Sequence, residues 1–132
     1  MRWLGLARRC VEIAQDYAAT REGFGVRLAD RESVQVMLGD LAMQIETGRL
    51  LVMKAAWEID RGGFARKEIS MAKLFSGRMS RFVSDECLQL HGGYGYMRES
   101  AAGRSFVDSR LISIGGGADE VMIHYLAKMF GL

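Results

Sequence analysis

Apolar residues recur three and four positions apart at Trp3, Leu6, Ala7, Cys10, Ile13, Ala14 and Tyr17. That spacing gathers them on one face of an α-helix. No Ser, Thr, Asp or Asn precedes the stripe as a cap, so the chain reads as starting inside a helix. A second stripe, Val34, Leu38, Leu41, Ile45, Val52, Ala55 and Ile59, predicts a helix over Glu32–Arg61, with Gly48 where another element comes close. At 1.5 Å per residue it is about 45 Å long, more than a small globule needs, so its ends are expected to reach other domains or subunits. The third stripe, Ile69, Ala72, Phe75, Met79, Phe82, Val83 and Leu90, predicts a helix over Ala65–Leu90. Two long antiparallel helices thus form the expected spine.

Glycines punctuate the rest. Arg21-Glu22-Gly23-Phe24-Gly25 reads as a helix C-cap followed by a turn, Arg61-Gly62-Gly63 ends the second helix, and His91-Gly92-Gly93-Tyr94-Gly95-Tyr96 leaves little room for continued helix. A shorter helix is expected over Ala101–Ile112 and a last one over Ala118–Phe130, after Gly115-Gly116-Gly117. Asp119 and Glu120 open that last helix, where acids complement the positive end of its macrodipole. No strand-like alternation and no fixed-period repeat is found. The expected fold is all-α, an antiparallel four-helix bundle with an additional short helix, forming one domain over residues 1–132.

Composition agrees, with 132 residues, 49% hydrophobic content, 16 glycines and no proline. The formal charge of +2 is too small for a nucleic-acid footprint, although 14 of the 18 basic residues are arginine, whose planar fork suits phosphate and carboxylate groups. Cys10 and Cys87 lie inside helical patterns without disulfide or zinc spacing, and read as reduced core thiols. No apolar run approaches the ~20 residues of a membrane span, and Arg2, Arg8 and Arg9 interrupt any signal-peptide core; a cytoplasmic location without membrane insertion is the default expectation.

Metal and nucleophile chemistry find little support. Glu120 and His124 form the only close acid–histidine pair, one turn apart, which reads as a surface pair; a carboxylate-bridged metal bundle needs Glu-x-x-His on two helices. No Gly-x-Ser-x-Gly elbow surrounds any serine. The two glycine-rich junctions remain, because glycine lets backbone amides approach a ligand and a following helix N-terminus attracts anions.

Taken together, Arg-x-x-Phe-Gly at Arg21–Gly25, Gln35, the stretch Gln89-Leu90-His91-Gly92-Gly93-Tyr94-Gly95-Tyr96, Arg104, Asp108 and Ile114-Gly-Gly-Gly-Ala-Asp-Glu-Val121 resemble the C-terminal helical domain of acyl-CoA dehydrogenases over nearly the whole chain. The resemblance implies a fragment of a longer flavoenzyme whose C-terminal bundle completes the FAD site and builds a homo-oligomer, a dimer or tetramer. It also implies α,β-dehydrogenation of an acyl-CoA thioester by the whole protein. By position, Arg21 and Phe24 resemble the residues that meet the FAD of a neighbouring subunit. Gln89, Leu90, His91, Gly92 and Gly93 resemble the stretch along the ADP half of FAD. Ala118, Asp119 and Glu120 stand where the family uses a Thr-Ser-Glu-like helix start against FAD, and Glu32 and Gln35 fall in the flavin-contacting part of the second helix.

Three positions depart from that pattern. Gly116 stands where many members carry the catalytic glutamate, and glycine cannot abstract a proton, so no catalytic residue is assigned in this chain. Glu32 replaces a common glutamine, and Ala118 a threonine. The family's other placement of the base, on the first helix of this domain, falls a few residues before Met1. The alternative expectation is a non-catalytic helical self-assembly module. Either way self-association is expected, because Phe106, Leu111, Ile114, Val121, Met122, Tyr125, Leu126, Met129 and Phe130 cover more than one stripe each on the last two helices.

Overall fold

Each long apolar periodicity becomes a helix. A computed structural model describes residues 1–132, with α1 at Arg2–Thr20, α2 at Glu32–Asp60, α3 at Arg66–His91, α4 at Ala101–Arg110 and α5 at Asp119–Met129. The expected boundaries hold within about two residues; the end of the fourth helix tightens into a 3-10 turn at Leu111–Ser113.

The fold is all-α, as expected, and one short segment departs from the helix-cap reading. Glu22–Gly23 and Val26–Arg27 pair antiparallel as a short hairpin, β1–β2. Phe24 (φ 55°) and Gly25 (φ 77°) both adopt left-handed backbone, the two-residue turn whose twist matches paired strands. The glycines therefore belong to the hairpin and not to a helix cap: α1 ends at Arg21 in an extended conformation. Two-residue strands offer no alternation to count, which is why the pattern passes over them.

The third helix is the centre of the molecule, packing against α1, α2, α4 and α5. The core joins Leu4, Ala7, Cys10, Val11 and Ala14 of α1 to Leu41 of α2, Met79, Val83 and Cys87 of α3, and Ala102 of α4. On α1 the buried arc is rotated from the expected stripe, with Leu4, Val11 and Ala18 inside and Trp3, Leu6 and Ile13 at its margins. Ile59, Ile69 and Phe82, expected inside, are 54%, 48% and 41% exposed. Small residues occupy the inner arc of α3 instead: Ser70, Ser76, Gly77, Ser80 and Ser84 are buried. Small side chains let helix axes approach closely, and that moves the bulky ones outward.

Gly48 confirms the expected close approach, since a methyl there would lie 3.0 Å from Leu4 Cδ2 and 3.3 Å from Met79 Cε. The buried serines are partly wired together: Ser84 Oγ donates to Ser109 Oγ of α4 at 2.7 Å, and Ser109 Oγ donates to the Phe106 carbonyl at 2.8 Å. Both cysteines are free and buried. The Cys87 thiol donates to the Cys10 carbonyl at 3.2 Å. A side-chain hydrogen bond with the Cys10 thiol, then burial, push it well above the ordinary thiol range, so it stays protonated and unreactive.

Candidate functional site

The end of α1, the hairpin and the end of α3 converge on one hollow of about 640 Å3, lined by Tyr17, Arg21, Gly23, His91, Gly92 and Gly93 among others. The α3 end is built for this. His91 is buried, with its ring stacked on Tyr17 at 4.2 Å and 25°. Its Nδ1–H donates to the Cys87 carbonyl at 2.7 Å, which fixes the orientation of the ring. Gly92 then turns the chain with φ 59°, and no atom lies within 4 Å of where a side chain would begin at Gly92 or Gly93, so their backbone is open to a ligand. Gly95 has the opposite reason to be glycine: a methyl there would be 2.6 Å from the Leu88 carbonyl oxygen.

The hairpin carries its aromatic at the tip, where Phe24 is 100% exposed. Arg31 holds the hairpin in place, its guanidinium donating to the Gly23 carbonyl at 2.5 Å and standing 5.9 Å from the Phe24 ring centre. Arg21 is exposed and has no acid within ion-pairing distance, the state that suits an incoming phosphate. Gln35 donates through Nε2 to the Ala29 carbonyl at 2.9 Å, tying α2 to the turn before it, while Glu32 lies exposed in the first turn of α2 and Gln89 is exposed on α3.

The second glycine junction lies elsewhere. Gly116 (φ 69°) and Gly117 (φ 102°) make the turn into α5. A separate hollow of about 410 Å3, mostly apolar, runs from Trp3 and Val52 past Ser76 to Gly115 and Gly116. Nothing lies within 4 Å of a side chain begun at Gly116. Asp119 and Glu120 occupy the first turn of α5, as expected, and Ala118 provides no capping side chain. Asp119 turns inward to Lys73, 3.5 Å from its Nζ, whereas Glu120 is exposed.

Of the residues singled out in the sequence, the structure brings Arg21 together with Leu90, His91, Gly92 and Gly93 across about 70 positions of chain. It does not bring Ala118, Asp119 and Glu120 to that hollow. Tyr17, Arg31 and Lys73 were not legible as site residues; Tyr17 looked like one more member of the α1 stripe, and the two cations had no motif. Glu120 and His124 form no ion pair, which corrects the expected surface pair, since both side chains point to solvent without meeting. No group of acids, histidines and cysteines could hold a metal ion, and no helix is long and apolar enough to cross a membrane.

Comparison with known proteins places these features in a family. Residues 1–130 match the family described as "Acyl-CoA dehydrogenase, C-terminal domain". The chain is 34% identical over 125 residues to the probable acyl-CoA dehydrogenase YngJ of Bacillus subtilis, covering 95% of this chain and 33% of that protein. Its fold matches the acyl-CoA dehydrogenase of Geobacillus kaustophilus with TM-score 0.95 at 32% identity, covering 98% of this chain and 34% of that one. It also matches the FAD complex of PigA with TM-score 0.93 at 25% identity, covering 98% of this chain and 34% of that one. The chain spans about a third of the length of the curated relatives first matched.

Proposed function

Because the chain belongs to the acyl-CoA dehydrogenase family, as its C-terminal domain, we propose that it contributes flavin-contacting and oligomer-forming surfaces to an enzyme that dehydrogenates an acyl-CoA thioester. The carrying observation is the hollow that collects Arg21, His91, Gly92 and Gly93 from distant parts of the chain. An unpaired guanidinium, two bare glycine backbones and a polar imidazole edge fit a dinucleotide: the fork for a diphosphate, the backbone for close approach. Bound there, FAD would supply the acceptor for a hydride. This chain's residues bind and orient. Gly116, with no side chain, moves no proton.

The separation of the two residue groups supports a site shared between copies, with the Arg21 hollow of one chain and the α5 start of another on the same flavin. The surface supports self-association too. Val36, Met43, Leu50 and Trp57 recur every seven residues along the outside of α2 and are 66%, 59%, 56% and 52% exposed in turn, an apolar line along one side of the helix. No residue of α5 is buried, and Val121, Ile123, Tyr125 and Phe130 are 44% to 62% exposed. A closed symmetric partner is the simplest cover for such a surface. The second reading, an assembly module without chemistry, is favoured by Gly116.

Fluorescence titration of FAD separates the two. The flavin reading expects saturable quenching that Arg21→Ala weakens about tenfold, the loss of one charge-assisted phosphate contact, with unchanged circular dichroism. Equal binding by Arg21→Ala, or no saturable binding at all, leaves the assembly module.

A further inference from the structure

Lys73 sits on α3 facing the Gly115–Gly117 turn, across 44 positions of chain. Its ammonium donates to the Gly117 carbonyl and lies 3.5 Å from Asp119 Oδ1, with the two side chains only 17% and 14% exposed. That carboxylate oxygen is buried and accepts no hydrogen bond, so the Lys73 charge is what balances it. Besides the packing of α5 on α3, no side-chain hydrogen bond other than that of Lys73 reaches the segment. Ala118 caps α5 with no side-chain bond and α5 buries no residue; on the other side, the turn is anchored by the Gly115 amide donating to the Leu111 carbonyl at 2.7 Å. Three consecutive glycines have the largest conformational freedom to lose, and Lys73 supplies the side-chain bond that restrains them.

We propose that Lys73 is a positioning residue: clamped between the Gly117 carbonyl and Asp119, it fixes the Gly115–Gly117 turn and the start of α5. Lys73 and Gly116 also line the hollows on both sides of this turn, so the clamp sets the shape of the space beside Gly116. Its bearing on a flavin rests on the reading proposed above; its effect on the turn does not. A partly buried pair of this kind has an asymmetric response, because deleting the cation strands a buried carboxylate, whereas neutralising the acid removes only one of the two partners of the ammonium.

Amide hydrogen exchange on the full 132-residue chain tests this with Lys73→Met, Lys73→Arg and Asp119→Asn. Lys73→Met keeps the aliphatic stem and should speed exchange at residues 115–120 by about tenfold or more, the loss of a charge-assisted hydrogen bond, with protection in α1, α2 and α3 unchanged. Asp119→Asn should give a smaller increase at the same amides, and Lys73→Arg, which keeps charge and donors, should return the rate towards that of the unaltered chain. Unchanged exchange at residues 115–120 in Lys73→Met would overturn the inference. So would an increase spread evenly over all helices, or a Lys73→Arg rate as fast as that of Lys73→Met. None of these readouts involves a flavin, so a chain that never binds FAD defeats the functional reading alone.

Discussion

The two sides of α3 and the outer face of α2 use apolar residues in opposite ways. Around α3 the interior is made of small side chains: Ala7, Cys10, Ala14, Ser80, Ser84, Cys87 and Ala102 are fully buried, and Leu41 is the largest side chain with no exposure. Outside, the large apolar residues stand in the open, among them Met43, Leu50, Met53 and Trp57 on α2, Tyr125 on α5 and Phe130 just after it. A chain that folded only for its own sake would do the reverse, since burying a large side chain contributes about 1.5–3 kcal/mol and an alanine far less. Small residues inside give close helix spacing; large residues outside leave apolar surface in the open, which the self-association proposed above would cover.

That contrast is sharpest at Leu41, whose side chain is wholly enclosed by the core it shares with α1 and α3. Leu41→Ala should lower the unfolding free energy by about 2–5 kcal/mol through lost burial and the cavity left behind, read from denaturant melts at constant chain concentration. A loss under about 1 kcal/mol would mean that the interior is not close-packed there.

Leu50→Arg, about two and a half turns further along and so on the outer face, should act on assembly instead. Sedimentation across a wide concentration range should show the unaltered chain associating and the variant shifted towards monomer by at least about tenfold in dissociation constant, roughly the burial of one leucine. Circular dichroism should stay helical. A monomer at every concentration for the unaltered chain removes the self-association reading, and a β-rich spectrum would contradict the fold itself.

Ile123→Ala probes the weakly held end. Being 44% exposed on a helix with no buried residue, it should change monomer stability by less than about 0.5 kcal/mol. A large loss in the monomer would show that α5 belongs to the core after all. Smallest of all should be the reaction of Cys10 and Cys87 with iodoacetamide under native conditions: both are buried, and the Cys87 thiol is held protonated, so labelling should wait for global opening. Modification as fast as in urea would break the picture of a sealed interior.

The helices were legible because long periodic stripes survive any choice of neighbours. Gly48 was legible too, since a glycine in the middle of a strong helix has few reasons to be there other than a close neighbour. The site was half legible. Arg21 and the Leu90–Gly93 stretch could be named from their motif, but that they share one hollow depends on α1 and α3 lying alongside each other. Arg31 and Lys73 gave no sign, because a cation that bonds a carbonyl eight or 44 residues away leaves no local pattern. The buried serines of α3 gave no sign either, because close packing, not polarity, placed them inside.

The sequence by itself determined the helices, their approximate ends, the turns at the glycines, the reduced state expected of the two thiols and the resemblance to the family that the comparisons confirm. All of these follow from local propensity, periodicity and residue chemistry read in chain order. Only the tertiary structure decided the rotation of α1 about its axis, the exposure of Ile59, Ile69 and Phe82 and the separation of the two glycine junctions into different hollows. Those depend on how closely helix backbones approach, a quantity set by the sizes of side chains on both partners at once, and no single stretch of the chain carries that information.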